Sequence, residues 1–177
     1  MDDDRLTHQE RLKGQERLKG ILQTERLAGP SQTKEPEIDG GEASCAAFGY
    51  LRGIRDRADS VEFRFQNGNR RWFAYSLLGT WQYNPSEGLL LKFSGDLVSL
   101  VLIRGSNLDL PLNEGHMNLT SGGLQRHRVV WIREMDEKDI KSVGETGPTI
   151  DSIEIADFES HAELKEWLSK KAPAFLS

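Results

Sequence analysis

Residues Leu97 to Ile103 read Leu-Val-Ser-Leu-Val-Leu-Ile, apolar but for one serine, and no other stretch restricts the fold so strongly. Ser94-Gly95-Asp96 precedes this run and Arg104-Gly105 follows it. A short apolar run between turn residues is the pattern of a strand buried on both faces. Such a strand must be covered twice, once by its own core and once by a helix of the same chain or a neighbouring subunit. Which of the two applies decides whether the chain needs a second copy of itself.

The flanking sequence supplies more strands. Val61, Phe63 and Phe65 alternate with Glu62 and Arg64, a strand with one wet face, and Asn67-Gly68 is the strongest hairpin signal in the chain. The return strand from Arg70 is rich in aromatics (Trp72, Phe73, Tyr75, Trp81, Tyr83), and Gly79 within it marks a bulge or sharp bend. Asn84 to Gly88 is a turn, Leu89 to Phe93 a strand, and Asn107 to Leu112 a further strand after Arg104-Gly105. Ala47, Tyr50, Leu51 and Ile54 fall at helical spacing, so the sequence predicts a short amphipathic helix over 44–57. Val129 to Ile132 reads as another strand. Near the end a strand over 149–155 precedes a helix with a Ser160/Glu163 capping box, an apolar face of Leu164, Trp167 and Leu168, and Pro173 as its stop.

Gln-Glu-Arg-Leu-Lys-Gly at 9–14 recurs at 15–20 and is echoed at 24–29. At about 100° per residue a six-residue period scatters Leu6, Leu12 and Leu18 around a helix axis, which argues against a coiled coil. Residues 1–42 are therefore expected to be a fraying helix or disordered arm plus linker, residues 43–135 the folded domain, and residues 136–177 an acidic extension ending in the helix. Net charge is −3, +3 and −5 over these three parts. A mildly basic centre between acidic arms suits an anionic ligand, or simply solvated surfaces. A charged, leucine-bearing arm also suits a protein partner.

The order helix, strand, Asn-Gly hairpin, long bent strand, strand, apolar strand, Arg-Gly, strand over residues 44–112 is similar to that of the Sm and Sm-like family. The match is best at Leu102 to Leu108, Leu-Ile-Arg-Gly-Ser-Asn-Leu, which resembles the family's second motif. The first motif departs from the pattern. Ala74 or Tyr75 stands where a second glycine is expected, and Tyr83 to Gly88 replaces the family's Asp-x-x-Met-Asn loop. The resemblance implies a mainly β (α+β) fold: an N-terminal helix, then a five-stranded, strongly bent Sm-like or SH3-like barrel that assembles into a homo-oligomer. It also implies a nucleotide pocket lined by the Arg104-Gly105 step.

The expected ligand is RNA or single-stranded nucleic acid, with Arg104, Gly105, Asn107, Tyr83 and Asn84 as its contacts. Tyr83 would stack a base and Asn84 would read a base edge. Arg70 and Arg71, interleaved with Trp72 and Phe73, are a second candidate contact. Each has a plainer reading: Arg104 bonding loop carbonyls, Tyr83 and Asn84 as turn and surface, Arg70 and Arg71 as charges guarding a strand edge. Arg126, His127, Arg128 and Arg133 add positive charge that the sequence does not assign to a face.

No phosphate loop, His-Glu-x-x-His motif or nucleophile elbow is present, which argues against an enzyme, and no cofactor or metal is implied. The single cysteine, Cys45, excludes an intrachain disulfide and suggests a reducing, cytoplasmic compartment. No apolar run is long enough to span a membrane. The competing expectation is a structural scaffold or adaptor that oligomerises through its edge strands and recruits proteins through its arms.

Overall fold

The apolar run is a central strand, and the same chain covers both of its faces. The computed structural model describes residues 40–112 and 116–176. The repeat and nearly all of the 1–42 arm lie outside the described residues. Among the described residues nine strands form two sheets. The first sheet holds β1 (Glu42–Ser44), β2 (Phe48–Leu51), β3 (Ser60–Arg64), β4 (Arg70–Ala74) and β8 (Val129–Arg133), in the order β1-β2-β8-β3-β4. The second holds β5 (Leu78–Asn84), β6 (Gly88–Ser94), β7 (Val98–Arg104) and β9 (Ser152–Phe158), in the order β5-β6-β7-β9. Two helices complete the described elements of length, α1 (Glu137–Val143) and α2 (His161–Lys171).

Strand β7 pairs antiparallel with β6 on one side and β9 on the other, so its backbone is satisfied along both edges. Val101 and Ile103 face the first sheet, in a core with Phe48, Phe63, Phe73, Phe93 and Ile132. The rings of Phe73 and Phe93 stack at 4.4 Å between the sheets. Leu100 and Leu102 point the other way, onto Leu164 and Leu168 of α2 and Phe175 beyond it. Full burial of each such side chain contributes about 1.5–3 kcal/mol. The second cover is thus a helix of this chain. Its cap is the expected one, Ser160 Oγ accepting from the Glu163 amide at 3.3 Å. The described residues belong to one compact unit, so the stretch expected as an extension after residue 135 is integral to the second sheet.

Three expectations are corrected. First, neither sheet closes into a barrel. Strand β8 inserts between β2 and β3, parallel to β3, and the 3-10 turn Tyr75–Leu77 divides the long return strand into β4 and β5, one in each sheet. Second, residues 44–57 are not a helix. The Cys45 amide donates to the Phe48 carbonyl and closes a turn, β1 and β2 pair as a hairpin, and β2 pairs in turn with β8, with Ala47 and Phe48 buried. Third, Asn107 to Leu112 is a turn, not a strand, with Asn107 in the left-handed region (φ 59°) and Leu108 plugging the core. The Gly79 irregularity is as expected, a register shift in the β5–β6 pairing between Leu78 and Trp81.

This packing predicts that Leu102→Ala destabilises the protein by about 2–5 kcal/mol in urea denaturation. Trp72→Ala, on the open face of β4, should change stability by no more than about 0.5 kcal/mol.

Candidate functional site

The residues of the Sm-like resemblance gather at one end of the second sheet, but they do not share one face. Asn84 pairs with Gly88, whose missing side chain (φ 114°) lets the chain pass against the Ile103 carbonyl and Arg104 Cα. Asn84 and Arg104 are therefore neighbours across β6. Tyr83 lies in register with Leu89 and Ile103, which are in the inter-sheet core, while Arg104 is one residue out of phase. In a pleated sheet consecutive residues face opposite sides, so Tyr83 and Arg104 cannot line one pocket.

Each of these side chains also has a partner within the chain. Arg104 forms an ion pair with Glu154 on β9, and its Nη2 donates to the Lys171 carbonyl at the C-terminus of α2, at 2.7 Å. Lys171 Nζ reaches the same carboxylate at 2.7 Å. These donors hold the Glu154 carboxyl below its ordinary value, Lys171 more than Arg104. Gly105 is required because any Cβ there would collide with the Thr149 carbonyl, which accepts from the Ser106 amide at 3.2 Å. Asn107 Nδ2 donates to the carbonyls of Glu145 and Gly147, at 2.8 and 3.0 Å. Tyr83 Oη donates to Asp109 at 3.1 Å, and Asn84 Oδ1 accepts from the Ser86 amide at 2.9 Å, closing the β5–β6 turn.

Arg70 and Arg71 point to opposite faces of β4. Arg71 follows the inward side, lies over the Phe73 ring at 4.8 Å, and donates Nη2 to both carboxylate oxygens of Asp157 on β9, at 2.8 and 3.0 Å. The Ser99 hydroxyl donates to Asp157 as well, at 2.6 Å. These bonds hold the Asp157 carboxyl below its ordinary value, Arg71 more than Ser99, and clasp the two sheets together. The one serine in the apolar strand is explained by this bond.

Arg70 faces outward, where the register aligns two rows across three strands. Arg133, Arg64 and Arg70 form one row; Trp131, Glu62 and Trp72 form the next. The indole of Trp131 lies against Gly49, where a Cβ would not fit, and donates to Glu42 at 3.0 Å. Arg64 covers the Trp131 ring at 4.4 Å. Glu62, 7 % exposed, accepts from Arg64 at 2.7 Å and from Arg70 at 3.1 Å, and Arg64 foremost holds its carboxyl low. Arg133 pairs with Asp139 of α1 at 2.9 Å. Trp72 is different: it is 58 % exposed and makes no hydrogen bond among the described residues. Sequence reasoning reached Arg70 and Trp72 through their interleaving but missed the row. Alternation placed Arg64 on a wet face; the pairing of β8 with β3 left no local signal for Arg133.

Cys45 is half-buried, its thiol pushed up by burial and donating to the Phe48 carbonyl at 3.5 Å. Among the described residues no cluster of His, Cys, Asp and Glu has a metal-binding arrangement, and no helix is long and apolar enough to cross a membrane. Comparison with family models, curated proteins and solved structures finds no match to this chain.

The lowered carboxylates give a pH prediction. A group whose folded pKa lies below its unfolded value contributes stability that is complete above the unfolded value, about 4.3 for Glu, and is lost as pH falls through the folded value. Glu154→Gln should therefore be less stable than the parent in urea melts near about pH 7, and the difference should vanish as pH falls through the acid range. A pH-independent difference would contradict the assigned ion pairs.

Proposed function

We propose that this chain is a non-catalytic binding module that takes single-stranded nucleic acid, RNA or DNA, on the outer face of the five-stranded sheet at β4. The supporting observation is Trp72, a large exposed aromatic without a hydrogen-bond partner among the described residues, set in register beside the Arg133–Arg64–Arg70 row. An aromatic platform next to guanidinium groups is the arrangement that stacks bases while meeting the backbone. Arg70 is the more available cation, with 55 % of its side chain exposed. The reading keeps Arg70 from the expected contacts and gives less weight to an Sm-type pocket, since Tyr83 and Arg104 are on opposite faces. A ring is not required by it, because β7 has no uncovered face or edge.

One observation favours a second reading, a scaffold or adaptor for protein partners. The outward arginines are matched by Glu62 and Asp139, so this face has little net positive charge, and β4 is an edge strand that another strand could extend. Residues 1–42 would then recruit further proteins, and edge pairing would supply self-association.

Fluorescence anisotropy with a labelled oligouridine at low salt separates the two. The nucleic-acid reading predicts saturable binding that weakens with salt. Trp72→Ala should cost about 1–3 kcal/mol, and Arg70→Ala should flatten the log–log salt slope by about 0.7. Absence of binding at low salt, or binding indifferent to both substitutions, would favour the adaptor.

A further inference from the structure

We propose that the cavity beside Arg128, at the opposite end of β8 from Arg133, binds a phosphate group, free or carried on a small molecule. The cavity measures about 450 Å³ and is lined by His116, Ser121, Gly122, Gln125, Arg126 and Arg128. That volume is in the range of small-ligand pockets, about 300–1,000 Å³. Among the described residues no carboxylate lines it. The cavity of the same size at the Arg133 end sets the contrast, because there Glu134, Asp136 and Asp139 accompany the arginines.

Arg128 is 7 % exposed, and among the described residues no acidic side chain forms an ion pair with it. Its Nε and Nη2 donate to the Leu51 carbonyl at 2.9 and 2.7 Å, and Nη2 donates also to the Arg52 carbonyl at 2.7 Å. These acceptors fix one side of the guanidinium. Nη1 makes no hydrogen bond among the described residues. Buried cations are ordinarily matched by an anion, since carbonyl dipoles return only part of the lost hydration. Here the neighbours make the imbalance worse. Arg126 and Arg57 raise the local positive potential, with Tyr50 and the Asp56 carboxylate offsetting them less, and burial and these like charges depress the Arg128 pKa.

The backbone aims the two cavity arginines from one turn. The 3-10 turn Leu124–Arg126 ends at His127 in the left-handed region (φ 53°), whose ring stacks on Tyr75 at 4.5 Å. Arg126 is thereby left exposed on the cavity wall while Arg128 enters β8 buried. A planar guanidinium held by carbonyls on one side presents its remaining N–H groups in a fixed geometry suited to a phosphate oxygen.

The test is calorimetric titration of the full chain at low ionic strength with inorganic phosphate, with glycerol phosphate as the organic arm and chloride as the ionic-strength control. Saturable binding of either phosphate and none of chloride is expected, at least tenfold weaker in Arg126→Gln. That residue is exposed, so the variant should unfold at the parent's urea midpoint. Arg70→Ala, on the far end of the sheet, should leave phosphate binding unchanged and so separates this site from the nucleic-acid face. No saturable phosphate binding, equal binding of chloride, or undiminished binding in Arg126→Gln would overturn the proposal.

Discussion

The burial of β7 on both faces is the constraint to which the rest of the structure answers. Its inward residues need a second sheet, and its outward residues need a further layer; the chain supplies β3, β4 and β8 for the first and α2 for the second. Strand β9 then becomes obligatory, because it pairs the remaining edge of β7 and leads directly into the helix that covers Leu100 and Leu102. A strand placed between two neighbours and two layers has neither a free edge nor an uncovered face. The carboxy-terminal forty residues are therefore structural, despite their acidic composition.

Charge in this molecule works mainly as fastening. Arg71 with Asp157 and Ser99 joins the two sheets, Arg104 with Glu154 and Lys171 ties α2 to the end of β7, and Glu134 accepts from the backbone amides of Gln66 and Ile153, bridging the hairpin to β9. Partly exposed pairs of this kind contribute modestly to stability. Their geometric effect is larger: they determine which basic groups are left unpaired. Most of the arginines that make the centre of the sequence basic are paired with carboxylates or held by carbonyls, which is why net charge is a poor guide to how much cationic surface a face presents.

Local pattern predicted local structure well. The Asn67-Gly68 hairpin, the bulge near Gly79, the strand pair β6–β7 and the capped α2 follow from turn chemistry and periodicity, and each forms. Failures occurred where long-range pairing overrides local preference. Ala47, Tyr50 and Leu51 have helical spacing, yet antiparallel pairing with β8, some eighty residues away, makes Phe48–Leu51 a strand. Nothing local in Val129–Arg133 states that it will insert between β2 and β3, parallel to β3. At the candidate sites, sequence identified Arg70 and Trp72 but not their alignment with Arg64 and Arg133. It also grouped Tyr83 with Arg104, which the pleat separates. The Arg126-His127-Arg128 run was visible as charge, but the division of labour between an exposed and a buried arginine depends on the left-handed turn at His127.

The central claim is that one chain covers β7 completely. It is tested most directly by the urea unfolding midpoint measured across a hundredfold range of protein concentration. Two-state unfolding of a self-sufficient chain gives a midpoint independent of concentration, and that is the result predicted. A midpoint that rises with concentration would show that folding draws on contacts between chains, and would contradict the complete cover of β7 by one chain.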